Sequence, residues 1–315
     1  MIYVLGIDAG GTKTTAWLAM LSESRDYEVV GRGTAGGANL QVTSESYAWE
    51  QINTAIAHAF ADADLEPQTV QAACLAVAGA GRPGTRVRVL RWADETRLAN
   101  QVKVVHDGEP VLFAAFPDGV GVALIAGTGS LAFGRDSSGR DVRSGGWGYL
   151  LGDEGSGYAI ALAGLRAAVR SADGRSDRTR LLTGFLNTLD CTAVSELIDA
   201  IYDTDVTRET IASLSRVVFR EAAAGDMVAA RILDESATEL ARMCVNVAQQ
   251  LGWQPSTYKL ALTGGIAVHY PEFRTRIEQV LHQLQLPPCD IVVVEEPVAG
   301  AVTLATRHLD RVGHR

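Results

Sequence analysis

Residues 3–14 read YVLGIDAGGTKT, and this stretch decides the fold that we expect for the chain. Its apolar first half predicts a buried β-strand, and Gly10 and Gly11 then allow a tight turn. Residues 15–21 predict a second strand, so the segment is a strand, a turn rich in glycine and threonine, and a strand. The spacing differs from the G-x-x-x-x-G-K-[ST] of a P-loop, so the turn predicts a phosphate site of another kind.

The groups around this turn suit a nucleotide and its metal ion. Bare backbone N–H groups at glycine can approach phosphate oxygens, and the threonine hydroxyls and the Lys13 ammonium add donors and charge. Asp8 ends the buried strand, where a carboxylate can orient a magnesium-bound water because magnesium keeps much of its hydration shell. The predicted nucleotide contacts are Asp8, Gly10, Gly11, Thr12, Lys13 and Thr14.

The same plan occurs a second time in the chain. Residues 120–126 predict a strand, residues 127–130 read GTGS and predict a turn, and residues 131–135 predict the next strand. The repeat indicates a duplicated domain whose two turns hold one triphosphate. In the second turn, the predicted nucleotide contacts are Gly127, Thr128 and Gly129.

The rest of the chain alternates between predicted helices and strands, as an α/β protein does. Hydrophobic periodicity predicts helices at residues 44–63, 86–99, 157–170, 227–251, 272–284 and 296–308. Strands are predicted at residues 72–78, 103–105, 259–263 and 290–294. Residues 173–205 show no strand pattern, which favours a helical insertion with loops.

Glycine is abundant, with 32 of 315 residues, and it follows four of the predicted strands. Besides the two turns described above, these ends carry Gly79 with Gly81 and Gly264 with Gly265. Glycine often closes ordinary turns, but a strand that stops at glycine can also bring backbone N–H groups close to a ligand. Four such ends favour a glycine-lined cleft.

The composition excludes several classes of protein. A chain of 315 residues has room for about two domains. Its mean hydropathy of +0.08 is too low for a polytopic membrane protein, and no run approaches about 18 apolar residues. A net charge of -9 argues against a nucleic-acid partner. Four cysteines without C-x-x-C spacing predict free thiols, and the lack of a signal-peptide pattern predicts a cytoplasmic protein.

Together these motifs resemble the actin, sugar-kinase and Hsp70 superfamily, and within it the N-acetylglucosamine kinase group, which is similar to the BadF/BadG/BcrA/BcrD ATPases. The resemblance spans nearly the whole chain and is carried, in order, by residues 8–14, 37–39, 107, 127–130, 145–148, 152–156, 264–265 and 297–305. It implies an α/β fold of two duplicated ribonuclease-H-like (actin-like ATPase) domains with mixed sheets flanking a central cleft. It also implies a small N-terminal domain at 1–117, a larger domain with a helical insertion at 118–296, and a C-terminal helix at 297–310 that packs back on the first domain.

The resemblance also implies a function. It implies that a homodimer uses ATP and Mg²⁺ to phosphorylate an amino sugar, with N-acetylglucosamine at its 6-hydroxyl as the first choice. Glucosamine is the second choice, and N-acetylmuramate follows. Two other classes stay open: a sugar sensor that has lost catalysis, and an ATPase of the acyl-CoA dehydratase activator type, whose iron–sulfur cluster needs thiolates.

Asp107 is the predicted general base. It follows the apolar residues 102–105, and the resemblance gives this carboxylate, at the end of a strand, the task of accepting the proton of an attacking hydroxyl. In the resembling family, Asn or Thr precedes this Asp and Ala follows it, whereas this chain has His106 and Gly108. Asp is also a common helix N-cap, and the residues alone leave both roles open.

Two further groups of residues take their roles from the resemblance. The predicted sugar contacts are Asn39, Asp107, Ser130, Gly146, Trp147, Gly148 and Asp153, and the predicted adenosine contacts are Ala222, Gly264, Gly265 and Ala267. Each group has a plainer alternative. Residues 152–155 suit an ordinary tight turn, Asn39 tolerates a left-handed turn, and residues 264–265 suit a simple loop between a strand and a helix.

Overall fold

The computed structural model describes residues 1–24, 26–40 and 43–312. The chain divides into two compact units, one of Met1–Gly121 with Val294–Arg315 and one of Val122–Val293. The predicted division between residues 117 and 118 lies slightly before this one, which falls just after the first residue of the strand Gly121–Ala126. None of the helices in the described residues is long and apolar enough to cross a membrane.

The first unit is built on a five-stranded mixed sheet. Its elements are β1 (Ile2–Ala9), β2 (Lys13–Leu21), β3 (Tyr27–Gly36), α1 (Glu45–Asp62), β4 (Val70–Val77), α2 (Pro83–Glu95), β5 (Ala99–Val105), α3 (Gly108–Ala115) and the last helix of the chain, α12 (Val298–Val312). The strand order is β3-β2-β1-β4-β5. Strand β1 runs antiparallel to β2 and parallel to β4, which is in turn parallel to β5.

Helices cover both faces of this sheet. Successive residues of a strand point to opposite faces, so Leu5 and Ile7 join the cluster that contains Ile52 of α1. Val4 lies on the other face, in the cluster with Val302 of α12. A Cβ on Gly6 would lie 2.5 Å from the backbone nitrogen of Val302, so glycine at this position lets α12 pack directly on β1. The C-terminal helix is therefore part of the first unit.

The second unit contains the other five strands and a larger set of helices. Its elements are β6 (Gly121–Ala126), β7 (Ser130–Arg135), β8 (Asp141–Gly145), α4 (Gly157–Ala172), α5 (Leu181–Thr188), α6 (Glu196–Tyr202), α7 (Arg208–Ser213), α8 (Ser215–Ala223), α9 (Met227–Gln250), β9 (Lys259–Thr263), α10 (Gly265–His269), α11 (Pro271–Gln283) and β10 (Asp290–Val293). Helices α5 and α6 lie in the insertion predicted at residues 173–205, and α7 and α8 extend this helical insertion to Ala223. No strand occurs in this part of the described chain.

The two sheets have the same topology. The second sheet has the order β10-β9-β6-β7-β8. Read from the opposite edge, it matches the first sheet strand by strand, with β6 in the place of β1 and β9 in the place of β4. In both units the second and third strands pair antiparallel, and two later strands add in parallel to the other side of the first strand. The predicted α/β class, the mixed sheets and the duplication are confirmed.

Strands β3 and β8 were not expected from the sequence. In β3, Gly31 and Gly33 interrupt the hydrophobic pattern because α1 packs closely on this strand. A Cβ on Gly33 would lie 1.9 Å from the carbonyl oxygen of Ala55. Strand β8 has only five residues and ends in the glycine-rich segment. A smaller error concerns residues 96–99, which follow α2 and are not helical because β5 already begins at Ala99.

Candidate active site

In the first unit, parallel strands bring Asp8 and Asp107 to one edge of the sheet. Strands β1, β4 and β5 are parallel neighbours, so their carboxyl ends meet at the same edge. Asp8 lies near the end of β1, and Asp107 follows β5. The pKa of Asp8 rises to about 7, first because of burial and then because of the negative charges of Asp107 and Glu296, with Lys13 acting in the opposite direction.

The turn after β1 is fixed by backbone hydrogen bonds. The Gly10 N–H donates to the carbonyl of Lys13 at 3.0 Å, and the Ala38 N–H donates to the carbonyl of Gly10 at 3.0 Å. A Cβ on Gly37 would lie 1.8 Å from the carbonyl oxygen of Gly11, so the segment that carries Asn39 packs directly on this turn. The structure thus brings Asn39 next to the predicted phosphate turn.

The structure corrects the role predicted for Thr14. Its side chain is fully buried, and its hydroxyl donates to the carbonyl of Gly36 at 2.8 Å. This hydrogen bond links β2 to β3 and uses the hydroxyl proton inside the protein. Thr12 and Lys13, in contrast, are exposed beside the turn.

Asp107 does not act as a helix cap. It precedes α3 but makes no capping hydrogen bond with its side chain. Its Oδ1 lies 2.8 Å from Nδ1 of His106, and the same Nδ1 lies 3.0 Å from the N–H of Gly108. When Nδ1 is unprotonated it accepts from Gly108, and Oδ1 of Asp107 then has no hydrogen-bond partner. When Nδ1 carries a proton, it donates to Asp107.

Asp107 is ionised at neutral pH. Burial on its own raises the pKa of this carboxyl, but the adjacent His106 imidazole and backbone N–H groups outweigh burial, so the pKa lies below its ordinary value. The environments of Asp8 and Asp107 therefore push their pKa values in opposite directions. Such a separation is typical of carboxylates with different roles in one active site.

In the second unit, hydrogen bonds join the glycine turn at 127–130 to residues 153–157. The Gly157 N–H donates to the carbonyl of Gly127 at 2.8 Å. The Ser130 N–H donates to Oδ1 of Asp153 at 3.2 Å, and the Ser130 hydroxyl donates to the carbonyl of Glu154 at 2.7 Å. Ser130 was predicted to contact sugar, but its side chain is buried and its hydroxyl proton is used inside the protein.

Asp153 is buried and held in an ion pair that the sequence did not reveal. Its Oδ2 lies 2.8 Å from Nη2 of Arg208, the first residue of α7. The Asp153 backbone has a φ of 60°, an uncommon conformation for a residue other than glycine. Burial raises the pKa of Asp153, while the Ser130 N–H and Arg208 lower it and Glu154 raises it. No motif pointed to Arg208, because it lies 55 residues away in the helical insertion.

The glycine-rich segment before Asp153 presents an exposed aromatic ring. Trp147 is 59% exposed, and the guanidinium carbon of Arg143 lies 4.8 Å from the centre of its ring. Gly146 and Gly148 have φ values of 70° and 84°, so both adopt the left-handed region that favours glycine. No atom lies within 4 Å of a Cβ built on Gly148, which leaves the backbone there open to a ligand.

The predicted adenosine contacts divide into buried and open positions. Ala267 is fully buried in the core of the second unit, and Ala222 is half-buried against the same core, so neither side chain is presented for binding. A Cβ on Gly264 would lie 2.5 Å from the carbonyl oxygen of Ala126. A Cβ on Gly265 or Gly127 would lie 4.0 Å or 3.7 Å from its nearest neighbour, so a methyl group fits at either position without a clash.

Gly264 and Gly265 allow a matched pair of substitutions. We expect Gly264→Ala to lower the free energy of unfolding by about 1–3 kcal/mol or more, because its φ of 92° and ψ of 152° are accessible only to glycine and the added methyl meets Ala126. We expect Gly265→Ala to leave stability nearly unchanged and to raise the KM for ATP. Urea unfolding and steady-state kinetics measure both effects; a wild-type KM for ATP in Gly265→Ala would contradict an adenosine contact there.

The four cysteines are free. Cys74 and Cys244 are buried, and burial raises the pKa of the Cys244 thiol to about 12 and raises that of Cys74 as well. Cys289 is exposed and Cys191 is half-buried. Among the described residues, no group of three or more His, Cys, Asp or Glu side chains is arranged to hold a metal ion.

Comparisons with known proteins agree with the sugar-kinase resemblance. The model of the BadF/BadG/BcrA/BcrD ATPase family matches residues 5–305. The N-acetylmuramic acid/N-acetylglucosamine kinase of Clostridium acetobutylicum is 33% identical over 315 residues, which cover 98% of this chain and 100% of that protein. The N-acetyl-D-glucosamine kinase of Dictyostelium discoideum is 31% identical and covers 83% of this chain and 84% of its own length. A solved structure from Chromobacterium violaceum has the same fold, with a TM-score of 0.77 at 22% identity over 97% of this chain and 99% of its own.

Proposed function

The chain belongs to the BadF/BadG/BcrA/BcrD ATPase family, and from that premise we propose that it transfers the γ-phosphoryl group of ATP to an amino sugar. N-acetylglucosamine is the first choice of substrate and its 6-hydroxyl the acceptor, since both curated relatives carry N-acetylglucosamine in their names. The observation that supports a kinase most directly is Asp107, an ionised carboxylate that makes no capping bond and shares a sheet edge with the glycine turn.

Asp107 is the proposed proton acceptor. As the sugar oxygen attacks the γ-phosphorus, the bond from that phosphorus to the β–γ bridging oxygen breaks and ADP leaves. The O–H bond of the sugar hydroxyl breaks as well, and its proton passes to the carboxylate of Asp107. The low pKa of this group keeps it ionised and ready to accept a hydrogen bond from the hydroxyl. Asp107 therefore fixes the direction of attack as well as accepting the proton.

The charges around Asp8 fit a divalent cation. Asp107 and Glu296 add negative charge near Asp8, and only Lys13 opposes them among the groups that shift its pKa. Oxygen ligands and retained water are what magnesium prefers, so we propose that Asp8 holds Mg²⁺ through a water molecule. Mg²⁺ held there would neutralise charge on the phosphate oxygens. The backbone N–H groups of Gly10 and Gly11, with Thr12 and Lys13, are then the proposed phosphate donors of the first unit.

The sugar contacts proposed for the second unit come from the glycine-rich segment. Trp147 offers an exposed ring, and Gly148 leaves the backbone open, while Gly146 packs against Leu131 and is proposed to contact sugar through its backbone. Asp153 is the proposed acceptor for sugar hydroxyls in this unit. In the first unit, Asn39 and Asp107 are the proposed sugar contacts. A homodimer and a cytoplasmic location complete the proposal.

A panel of sugars tests the substrate. ADP release is measured with N-acetylglucosamine, glucosamine, N-acetylmannosamine, N-acetylmuramate and glucose at equal concentrations. We expect the highest kcat/KM with N-acetylglucosamine. A clear preference for glucosamine would contradict this choice of sugar and leave the phosphoryl-transfer proposal standing. Equal ADP release with and without every sugar would contradict the kinase itself.

A further inference from the structure

We propose that Arg208 is a positioning residue for the sugar site, holding the Asp153 carboxylate where it meets substrate and tying it to the glycine turn at 127–130. The inference rests on the proposed function, because Asp153 is assigned to sugar there. Arg208 itself lies in helix α7 of the helical insertion, and no role was predicted for this residue.

The Arg208 guanidinium contacts three segments near the proposed sugar site of the second unit. Its Nη2 lies 2.8 Å from Oδ2 of Asp153. The same nitrogen lies 2.7 Å from the position that a Cβ on Gly129 would occupy, so it packs directly on the glycine turn. Its guanidinium carbon lies 5.6 Å from the centre of the Tyr149 ring, in the segment that follows Trp147 and Gly148. One side chain therefore spans the phosphate turn, the carboxylate and the aromatic segment.

Asp153 depends on this partner because it is only 4% exposed. Oδ1 accepts from the Ser130 N–H, and Oδ2 accepts from Arg208, so each oxygen has its own donor. Without Arg208, the carboxylate keeps one hydrogen bond and loses its countercharge. A buried carboxylate in that state takes up a proton, and a protonated oxygen no longer accepts from a sugar hydroxyl in the same way.

Two features separate this contact from an ordinary surface ion pair. The Arg208 side chain is only 17% exposed, and its Nε is buried with no hydrogen-bond partner among the described residues. An unpaired buried donor lowers the stability of the fold, so stability alone does not explain where the guanidinium lies. Its hydrogen bond from Nη2 to Asp153 does explain this position. Helix α7 fixes the start of the side chain, because Thr207 caps it by accepting the N–H of Thr210.

Three variants test the role of Arg208. Arg208→Met removes the charge and keeps most of the side-chain volume, and Arg208→Lys restores a charge at the same place. Arg175→Met is the matched control, because Arg175 pairs with Asp173 in the same region but both side chains are more than half exposed. Steady-state kinetics with the best sugar, pH profiles and thermal unfolding are measured for all three and for the wild type.

We expect Arg208→Met to lower kcat/KM for the sugar on the order of 10- to 100-fold, mainly through KM, with a smaller change in the KM for ATP. The acid limb of its kcat/KM profile for sugar moves to higher pH, because Arg208 lowers the pKa of Asp153 while burial and Glu154 raise it. Arg208→Lys recovers much of the loss, and Arg175→Met matches the wild type.

Other outcomes overturn the inference. Wild-type sugar kinetics in Arg208→Met would show that Arg208 positions nothing. Equal losses in Arg208→Met and Arg208→Lys, with an unshifted pH profile and a lower melting temperature, would show a purely structural residue. The proposed function fails separately, because it requires sugar phosphorylation by the wild-type protein, which is measured before any variant.

Discussion

Replacing Asp107 with asparagine lowers kcat by about 10²- to 10⁴-fold if this carboxylate is the general base, while ATP and sugar still bind. Asparagine keeps the size of the side chain and its place beside His106, but its amide does not accept the proton of the attacking hydroxyl. We expect a modest loss of stability, because asparagine lacks the charge that His106 and the backbone N–H groups stabilise, although no capping bond is removed. Steady-state kinetics give kcat, and calorimetric titration gives the two dissociation constants.

The control for this variant is Asp94→Asn. Asp94 is an exposed carboxylate on α2, in the same unit but outside the proposed site, so its variant keeps full activity. A kcat within a few-fold of wild type in Asp107→Asn would remove Asp107 from the chemistry. Loss of sugar and ATP binding together with kcat would assign it a structural role.

Asp8→Asn produces opposite changes in activity and stability. The folded-state pKa of Asp8 is about 7 against an ordinary 3.8, so the folded protein binds this proton more tightly than the unfolded chain does. Ionised Asp8 therefore destabilises the fold, by an amount that grows as pH rises from 3.8 to about 7 and is constant above. Asparagine has no charge, so the variant gains stability at high pH.

The expected gain at pH 8 is about 1–4 kcal/mol, since one pKa unit corresponds to about 1.4 kcal/mol and Asp8 keeps some contact with solvent. The gain shrinks at pH 5 and vanishes near pH 3. In the same variant kcat/KM for MgATP falls at least about 10²-fold, because no carboxylate orients the metal-bound water. Urea unfolding across pH and kinetics across magnesium concentration measure the two effects.

Asp94→Asn again serves as the control, because an exposed carboxylate gives no comparable gain in stability. A variant Asp8→Asn that is less stable than wild type at pH 8 would contradict the claim that ionised Asp8 destabilises the fold. Full activity with an unchanged dependence on magnesium would contradict the metal role of Asp8.

The sequence predicted the duplicated architecture because its signals are local. A strand, a glycine turn and a second strand occur at residues 3–21 and again after residue 120, and the structure builds the same sheet on each. Strand β3 was not predicted because its glycines are required by the close packing of α1. Such a tertiary contact does not appear in the hydrophobic pattern of a single segment.

The site was less predictable than the fold because a motif gives residue types and not the direction of side chains. Thr14 and Ser130 were expected to meet ligands, yet both hydroxyls donate to backbone carbonyls inside the protein. Ala267 was expected to contact adenosine, but its side chain points into the core. Arg208 is the opposite case, because it has no sequence signal and the fold places it on Asp153.

Product analysis tests the central claim most directly. The protein is incubated with ATP, Mg²⁺ and N-acetylglucosamine, and the products are identified by mass spectrometry and phosphorus NMR. The account predicts one phosphosugar for each ADP, with the phosphate on the 6-hydroxyl, and almost none from Asp107→Asn. ADP and inorganic phosphate without a phosphosugar, whichever sugar is added, would contradict it and identify an ATPase instead.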